Sequence, residues 1–341
     1  STNEYVDFGK KAVASLSPDE VKKTILDAGV WFTIRQRPYD IVALPDKQPR
    51  DIFVTGFDSS PLAPSYDYIL EGQEADFQAG LDALAKLTTG KVYLSVHTKT
   101  TSPALRQAKN VVINEFDGPH PAGNASVQIN HVKPVNRGEV VWALNALNVA
   151  LIGRVFNKGV ADLTRTVALT GSEVKQTGYY TMLIGTQLSS LFDQNVTEGI
   201  SLRYISGNPL TGRKIERDGV LRAYDSQVTV IPEGEEVHEA FGWASFSPER
   251  YSAGSTYLNL KKKYRLDARV LGGPRAIIVS NEYDKVFPMD IYPEQLIKST
   301  LAFNIDRMEQ LGIYEVAPED FALCEFVDTS KLELQLIIRK G

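Results

Sequence analysis

Residues 110–123 read N-V-V-I-N-E-F-D-G-P-H-P-A-G, and the fold class turns on this stretch. Asn110 to Phe116 has the apolar, β-branched character of a buried strand. In the loop that follows, Gly118, His120 and Gly123 occupy the three glycine positions of G-x-G-x-x-G. That spacing marks the strand-to-helix loop of dinucleotide-binding sheets. The middle position needs glycine so that backbone can approach a pyrophosphate. His120 fills that space with an imidazole, and Pro119 and Pro121 remove backbone N–H donors. The stretch has the spacing of a nucleotide site without its chemistry, as in a loop inherited from a cofactor-binding ancestor that no longer binds the cofactor.

Upstream, the punctuation is that of alternating strands and helices. Ser17-Pro18-Asp19-Glu20 is a capping box with proline at the first helical position. Val21, Ile25 and Ala28 follow at helical spacing, and Gly29 ends the helix. Asp51 to Phe57 reads as a strand, Glu74 to Thr88 as a helix and Lys91 to His97 as a strand. Ser102 to Lys109 reads as a short helix. This alternation predicts a Rossmann-like parallel α/β sheet over residues 1–158. The apolar run Glu139 to Asn157 is expected to cross back over it as one long buried helix.

After Gly159 the pattern changes. Leu163 to Leu169 and Tyr179 to Ile184 read as strands, Gln187 to Gln194 as a short helix, and Ile200 to Ser206 and Ala223 to Ile231 as further strands. Such a set predicts a β-grasp domain over 159–234. Residues 235–290 carry weaker strand signals, as a mixed β segment. Residues 291–341 read as helical: Pro293 opens a helix running through Leu296, Leu301 and Met308 to Gly312, and Pro318 opens another. The expected class is therefore multidomain, α/β followed by α+β.

Composition excludes several function classes. A length of 341 residues suggests about two domains. Hydrophobic residues at 43% and charged residues at 23% fit a globular protein. A net charge of -5 argues against nucleic acid as the main partner. With 1 Cys, the chain forms no intrachain disulfide and holds no self-contained cysteine-ligated cluster, and a reducing, cytosolic compartment is the simplest expectation. The most apolar run, Val140 to Gly153, is shorter than the roughly 20 residues of a bilayer span. The N-terminus has no apolar core of a signal peptide, and its lack of Met suggests a processed or truncated chain. His97, His131 and His238 show no metal-ligand spacing, and no G-x-S-x-G occurs.

Many ordered blocks resemble the A subunit of the bacterial sodium-translocating NADH:quinone reductase. They include Trp31 with Arg35-Gln36-Arg37-Pro38, Ile52-Phe53-Val54-Thr55, and Leu87 to Tyr93. Phe116 to Gly123 (F-D-G-P-H-P-A-G) is the most specific. Ile205-Ser206-Gly207, Gln227 to Val230, Phe241-Gly242-Trp243, Pro288-Met289-Asp290 and Ala322-Leu323-Cys324 follow. The resemblance implies a peripheral, cofactor-free component on the cytoplasmic face of the bacterial inner membrane. It implies a six-subunit complex, with the membrane-embedded B subunit as the chief partner and flavins and iron centres in the partner subunits. It also implies ubiquinone or menaquinone as the electron acceptor and sodium export as the coupled step. Two departures stand out. The β-rich domain of about a hundred residues with which the family usually begins has no counterpart here (an ordinary domain size). A second Cys shortly after the first, common in the family, is replaced by Glu325-Phe326-Val327-Asp328.

Candidate contacts follow from residue chemistry. Trp31, Phe32, Arg35 and Arg37 combine flat apolar surface with guanidinium donors, suited to a quinone ring or a docking partner; the alternative is a buried aromatic anchor with surface arginines. His120 offers a group that titrates near neutrality for a quinone carbonyl or a proton relay; the alternative is a hydrogen bond inside its own proline-rich loop. Lys261, Lys262, Lys263 and Arg265 form a basic run suited to anionic lipid or a partner, or simply a solvated loop end. Cys324 is expected to be a small buried residue. Two rival readings of the whole chain are a flavin-dependent oxidoreductase subunit and a ligand-binding β-grasp interaction module.

Overall fold

The computed structural model describes residues 5–235, 250–253, 257 and 260–341. His238 and the block Phe241-Gly242-Trp243 lie outside the described residues.

Helix α1 (Pro18–Asp27) begins as its sequence demands: Ser17 Oγ accepts from the Glu20 N–H, and Glu20 accepts in turn from the Ser17 N–H. The antiparallel strands β1 (Arg35–Arg37) and β2 (Ile41–Val42) follow. Next come β3 (Ile52–Thr55), α2 (Tyr66–Ile69), α3 (Glu74–Ala85), β4 (Val92–His97) and α4 (Pro103–Arg106). The unit closes with β5 (Val112–Phe116), α5 (Ala125–Val132), β6 (Val141–Asn145) and α6 (Ala146–Lys158). The sheet order is β2-β1-β6-β3-β4-β5, with β6, β3, β4 and β5 parallel. The chain runs outward from β3 to β5, then returns through α5 to lay β6 on the other side of β3. The sheet's switch point therefore lies between the carboxyl ends of β3 and β6, the crevice where open α/β sheets place ligands.

Two expectations about this sheet need correction. Residues 112–116 form its last strand, with Val112 and Glu115 exposed and the rest half-buried, rather than a buried strand. An edge strand has one neighbour only, and among the described residues no strand pairs with its free side. The run expected as one long helix is a strand followed by a helix. V-W-A-L of β6 is paired on both sides and covered on both faces, so a central parallel strand reads as an unbroken apolar run. Asn145 makes the change, its Oδ1 accepting from the Asn148 N–H at 2.9 Å to cap α6.

One face of the sheet packs Ile52, Val54, Leu94 and Leu144 against α1, α3 and α6. The other packs Phe53, Val141 and Ala143 against Ile129 of α5. Helix α6 is buried from Ala146 to Phe156, between the sheet, α3 and the start of the second domain, where Asn148 bonds Arg165 and Arg154 bonds Thr164.

That domain contains β7 (Thr164–Thr170), β8 (Gly178–Leu183), α7 (Ser189–Phe192), β9 (Leu202–Ser206), β10 (Arg213–Ile215) and β11 (Gln227–Pro232). Its sheet order is β10-β9-β11-β7-β8, with the first and last strands, β7 and β11, parallel at the centre. Leu188 and Phe192 at the helix pack on Val167, Val228 and Val230. This is the expected β-grasp arrangement.

The C-terminal segment carries α8 (Pro293–Leu301), α9 (Ile305–Gln310), α10 (Ala322–Val327) and α11 (Leu334–Lys340). The single helix expected from Pro293 to Leu311 is broken. Phe303 takes φ +52°, its N–H bonds the Thr300 carbonyl and the Asn304 N–H bonds the Ser299 carbonyl. These two bonds close α8 as a Schellman motif, and Asn304 then caps α9 by accepting from the Arg307 N–H at 3.0 Å. Leu296, Ile297, Phe321, Cys324 and Leu334 build the core here, joined by Val127 of α5. Cys324 is fully buried, and burial pushes its thiol well above the ordinary range. Among the described residues no helix is long and apolar enough to cross a membrane.

Candidate functional site

The loops after β3, β4 and β5 converge at their carboxyl ends. Gly118 to Asn124 follows the edge strand β5, whereas the dinucleotide fingerprint belongs to the first strand-to-helix turn, which here is Gly56 to Ser65 after β3. The two loops are nevertheless locked together. Ser59 Oγ lies 3.1 Å from His120 Nδ1 and accepts from the Gly123 N–H at 2.8 Å. A Cβ on Gly123 would stand 2.6 Å from Ser59 N, so the third glycine position is used here, for loop-on-loop packing. His120 Nε2 is buried and makes no hydrogen bond among the described residues. Beside it, the Phe57 and His97 rings meet edge to face at 5.3 Å, and His97 Nε2 is 3.5 Å from Asp117.

Burial lowers the His120 pKa, with Asp58 opposing weakly. The imidazole is therefore held neutral, and its share of stability is lost as pH falls through the unfolded value near 6.5. Replacing Ser59 with alanine is expected to cost about 1–3 kcal/mol, since it strands the Gly123 N–H and the ring nitrogen. Urea unfolding at neutral pH checks this, and a change under about 0.5 kcal/mol, the scatter of an ordinary surface substitution, would refute the lock.

Arg37 is buried, at 5% exposure, so the alternative of a surface arginine does not hold for it. Its guanidinium is 3.0 Å from Glu319 Oε1 and 3.5 Å from Asp40 Oδ1. Asp40 also meets Arg35 at 3.1 Å and Arg339 of α11 at 3.4 Å. Burial alone would push the Asp40 carboxyl up, but Arg37 and Arg35 hold it down at about 2. Asp320 sits almost fully buried next to Glu319, accepting from the Ala317 N–H at 2.7 Å and from Asn124 Nδ2 at 3.1 Å. Burial raises the carboxyls of both Glu319 and Asp320, and Arg37 opposes it in each. The turn at 318–321 thus ties Arg37 of β1 to Asn124, the residue that ends the His120 loop.

Trp31 is buried as an anchor: its Nε1 donates to the Ala43 carbonyl at 2.7 Å and its ring meets Trp142 at 5.3 Å. Phe32 and Arg35 face the second domain. Tyr224 donates to the Phe32 carbonyl at 3.1 Å, and the Arg35 guanidinium lies 5.0 Å over the Tyr224 ring. The four residues therefore do not form one open cradle; they join three parts of the chain. Lys261, Lys262 and Lys263 are exposed, while Arg265 is anchored by a 2.6 Å ion pair to buried Glu173.

Sequence reasoning passed over Ser59, Asp40, Tyr224, Glu319 and Asp320. Pro318-Glu319-Asp320 is visible along the chain only as a helix start, because an acidic first turn is ordinary helix chemistry. Nothing along the chain places it beside Arg37, 282 positions earlier. Among the described residues no group of three or more His, Cys, Asp or Glu is placed to hold a metal.

The family model described as the NqrA second alpha/beta domain matches residues 16–161, and that of the NQRA C-terminal domain matches residues 166–217. The A subunit of the Na(+)-translocating NADH-quinone reductase of Neisseria meningitidis serogroup B is 33% identical over 341 residues, 99% of this chain and 76% of that protein. This chain belongs to that NqrA family. The family's Serratia proteamaculans member is 35% identical over 98% of the chain, and its Pasteurella multocida member 34% over 99%. The family's α/β match ends at 161, within a few residues of the end of α6, and its next match spans β7 to β10.

Proposed function

We propose that this chain works as the peripheral NqrA component of a sodium-translocating NADH:quinone reductase, supporting electron transfer to quinone that is coupled to sodium export. The observation that carries the reading is the match to NqrA proteins along 99% of the chain. The crevice supports its cofactor-free character: His120, Ser59 and Gly123 fill the approach a pyrophosphate would need. Flavins and iron centres then belong to partner subunits, and the membrane-embedded B subunit is the chief neighbour at the cytoplasmic face. Ubiquinone or menaquinone contact is assigned to the mouth around His120 and to Phe32 and Arg35, with buried Trp31 and Arg37 behind them. Lys261, Lys262, Lys263 and Arg265 are assigned to a partner or lipid contact.

Membranes lacking this component are expected to lose NADH-driven, sodium-dependent quinone reduction and to regain it when the chain is supplied. The purified chain is expected to show no flavin absorbance, and a soluble quinone is expected to quench its Trp fluorescence saturably in the micromolar range typical of a modest site. Flavin bound to the purified chain, or full turnover without it, would overturn the reading.

A further inference from the structure

The turn between α8 and α9 is the most exposed apolar feature of the C-terminal segment. Residues 301–307 are all exposed. Within them Leu301 keeps 56%, Phe303 73% and Ile305 54% of its surface open to solvent. The backbone makes this more unusual. Phe303 holds the left-handed position that closes the Schellman motif, at φ +52°, where glycine is the residue without strain and a bulky side chain is an outlier. A large aromatic side chain is therefore held out from the surface at a position where a smaller residue would fold more easily.

The surroundings are basic. Lys298 precedes the turn and Arg307 follows it. Gly341 packs against Thr300 and Met308, which brings Lys340 to the base of the same turn. None of these three cations forms an ion pair among the described residues, and within 298–308 Asp306 is the only acid. Arg339, by contrast, is committed to Asp40.

We propose that this turn is a lipid contact: Leu301, Phe303 and Ile305 enter the interfacial layer of a bilayer while Lys298, Arg307 and Lys340 meet anionic headgroups. Apolar tips ringed by cations suit that layer, where apolar burial and attraction to anionic lipid act together. A convex turn of seven residues offers far less than the roughly 800 Å² per partner of a standard protein interface. The contact rests on the assignment to a membrane complex only in that such a complex brings the chain to a bilayer.

The test is sedimentation of the purified chain with vesicles of phosphatidylglycerol and phosphatidylethanolamine, compared with phosphatidylcholine alone. Preferential binding to the anionic vesicles is expected. The pair Leu301→Ser and Phe303→Ser is expected to weaken it at least about tenfold, as fits loss of most of the inserted apolar surface. Phe303→Gly should weaken binding without lowering the unfolding temperature, which separates lipid contact from folding. Equal binding to both vesicle types, or unchanged binding by the serine pair, overturns the proposal. So does a serine pair that still binds vesicles but no longer co-purifies with the redox subunits, since the turn would then be a protein contact. Failure of vesicle binding with co-purification intact overturns the lipid contact and leaves the complex assignment standing. Vesicle binding without co-purification removes that assignment and keeps the lipid contact.

Discussion

Replacing Arg37 with alanine is expected to lower the unfolding free energy by about 3–5 kcal/mol, the range for removing one partner of a buried ion cluster. The loss should be larger near pH 8 than near pH 5. The sign follows from the carboxyls. Asp320, almost fully buried, lies above its ordinary value in the folded chain chiefly through that burial, and half-exposed Glu319 lies above its own, with Arg37 as the opposing cation in both. Without it they rise further. A raised carboxyl keeps in the folded state a proton that the unfolded chain releases, so stability falls as pH climbs through and above the unfolded carboxyl range near 4. At lower pH both states are protonated and the penalty shrinks. Asp40 behaves oppositely: held at about 2, its contribution disappears only below about pH 4, outside this window. Urea unfolding followed by Trp fluorescence at both pH values measures the difference. Adding Asp320→Asn and Glu319→Gln to the variant should restore most of the stability, because neutral side chains need no cation. A loss independent of pH would show that Arg37 acts through packing alone.

Gly153→Ala should cost at least about 3 kcal/mol, the upper end of the overpacking range. Helices α3 and α6 cross backbone on backbone. A Cβ on Gly153 would stand 1.7 Å from the Asp76 carbonyl oxygen and 2.8 Å from Gly80 N. On the facing helix, a Cβ on Gly80 would stand 2.1 Å from the Val149 carbonyl oxygen. No side-chain rotation relieves a clash with main-chain atoms, so the helices must separate. Separation would open the contacts that Phe77, Leu81, Val149 and Ile152 make in the main core. Gly153→Ala and Gly80→Ala should behave alike in thermal unfolding. Gly178→Ala, where the nearest atom is the Tyr180 ring at 3.9 Å, is the control. A cost below about 1 kcal/mol at Gly153, typical of an average substitution, would refute the close crossing.

The elements that were legible have local signatures. The Ser17 to Glu20 capping box, the β3 and β4 strands and the β-grasp strands each combine a periodic apolar pattern with a terminator residue in sequence. Those that were misread, or given no element at all as α5 was, lack one. Helix α5 turns Ile129 to the sheet and Val127 to the C-terminal core, so its apolar residues form two faces and no single stripe. Strand β6 and helix α6 share one apolar run, because the strand is covered on both faces and the helix on both sides. The α8–α9 break has no proline or glycine to announce it; Phe303 occupies the left-handed position instead.

The candidate site divides the same way. The sequence by itself determined that the Gly118 to Gly123 loop carries an imidazole and two prolines where a pyrophosphate loop carries glycine and N–H donors, because those local sterics and donors hold wherever the loop lies. It also determined the family, through blocks that run the length of the chain. Only the tertiary structure decided what the candidate residues touch. Trp31 is sealed beneath Ala43 and Trp142, Arg37 meets Asp40 and Glu319, and His120 meets Ser59. These partners lie far apart along the chain and are joined by packing of separate elements, and burial, which sets both ionisation and accessibility, is a property of that packing.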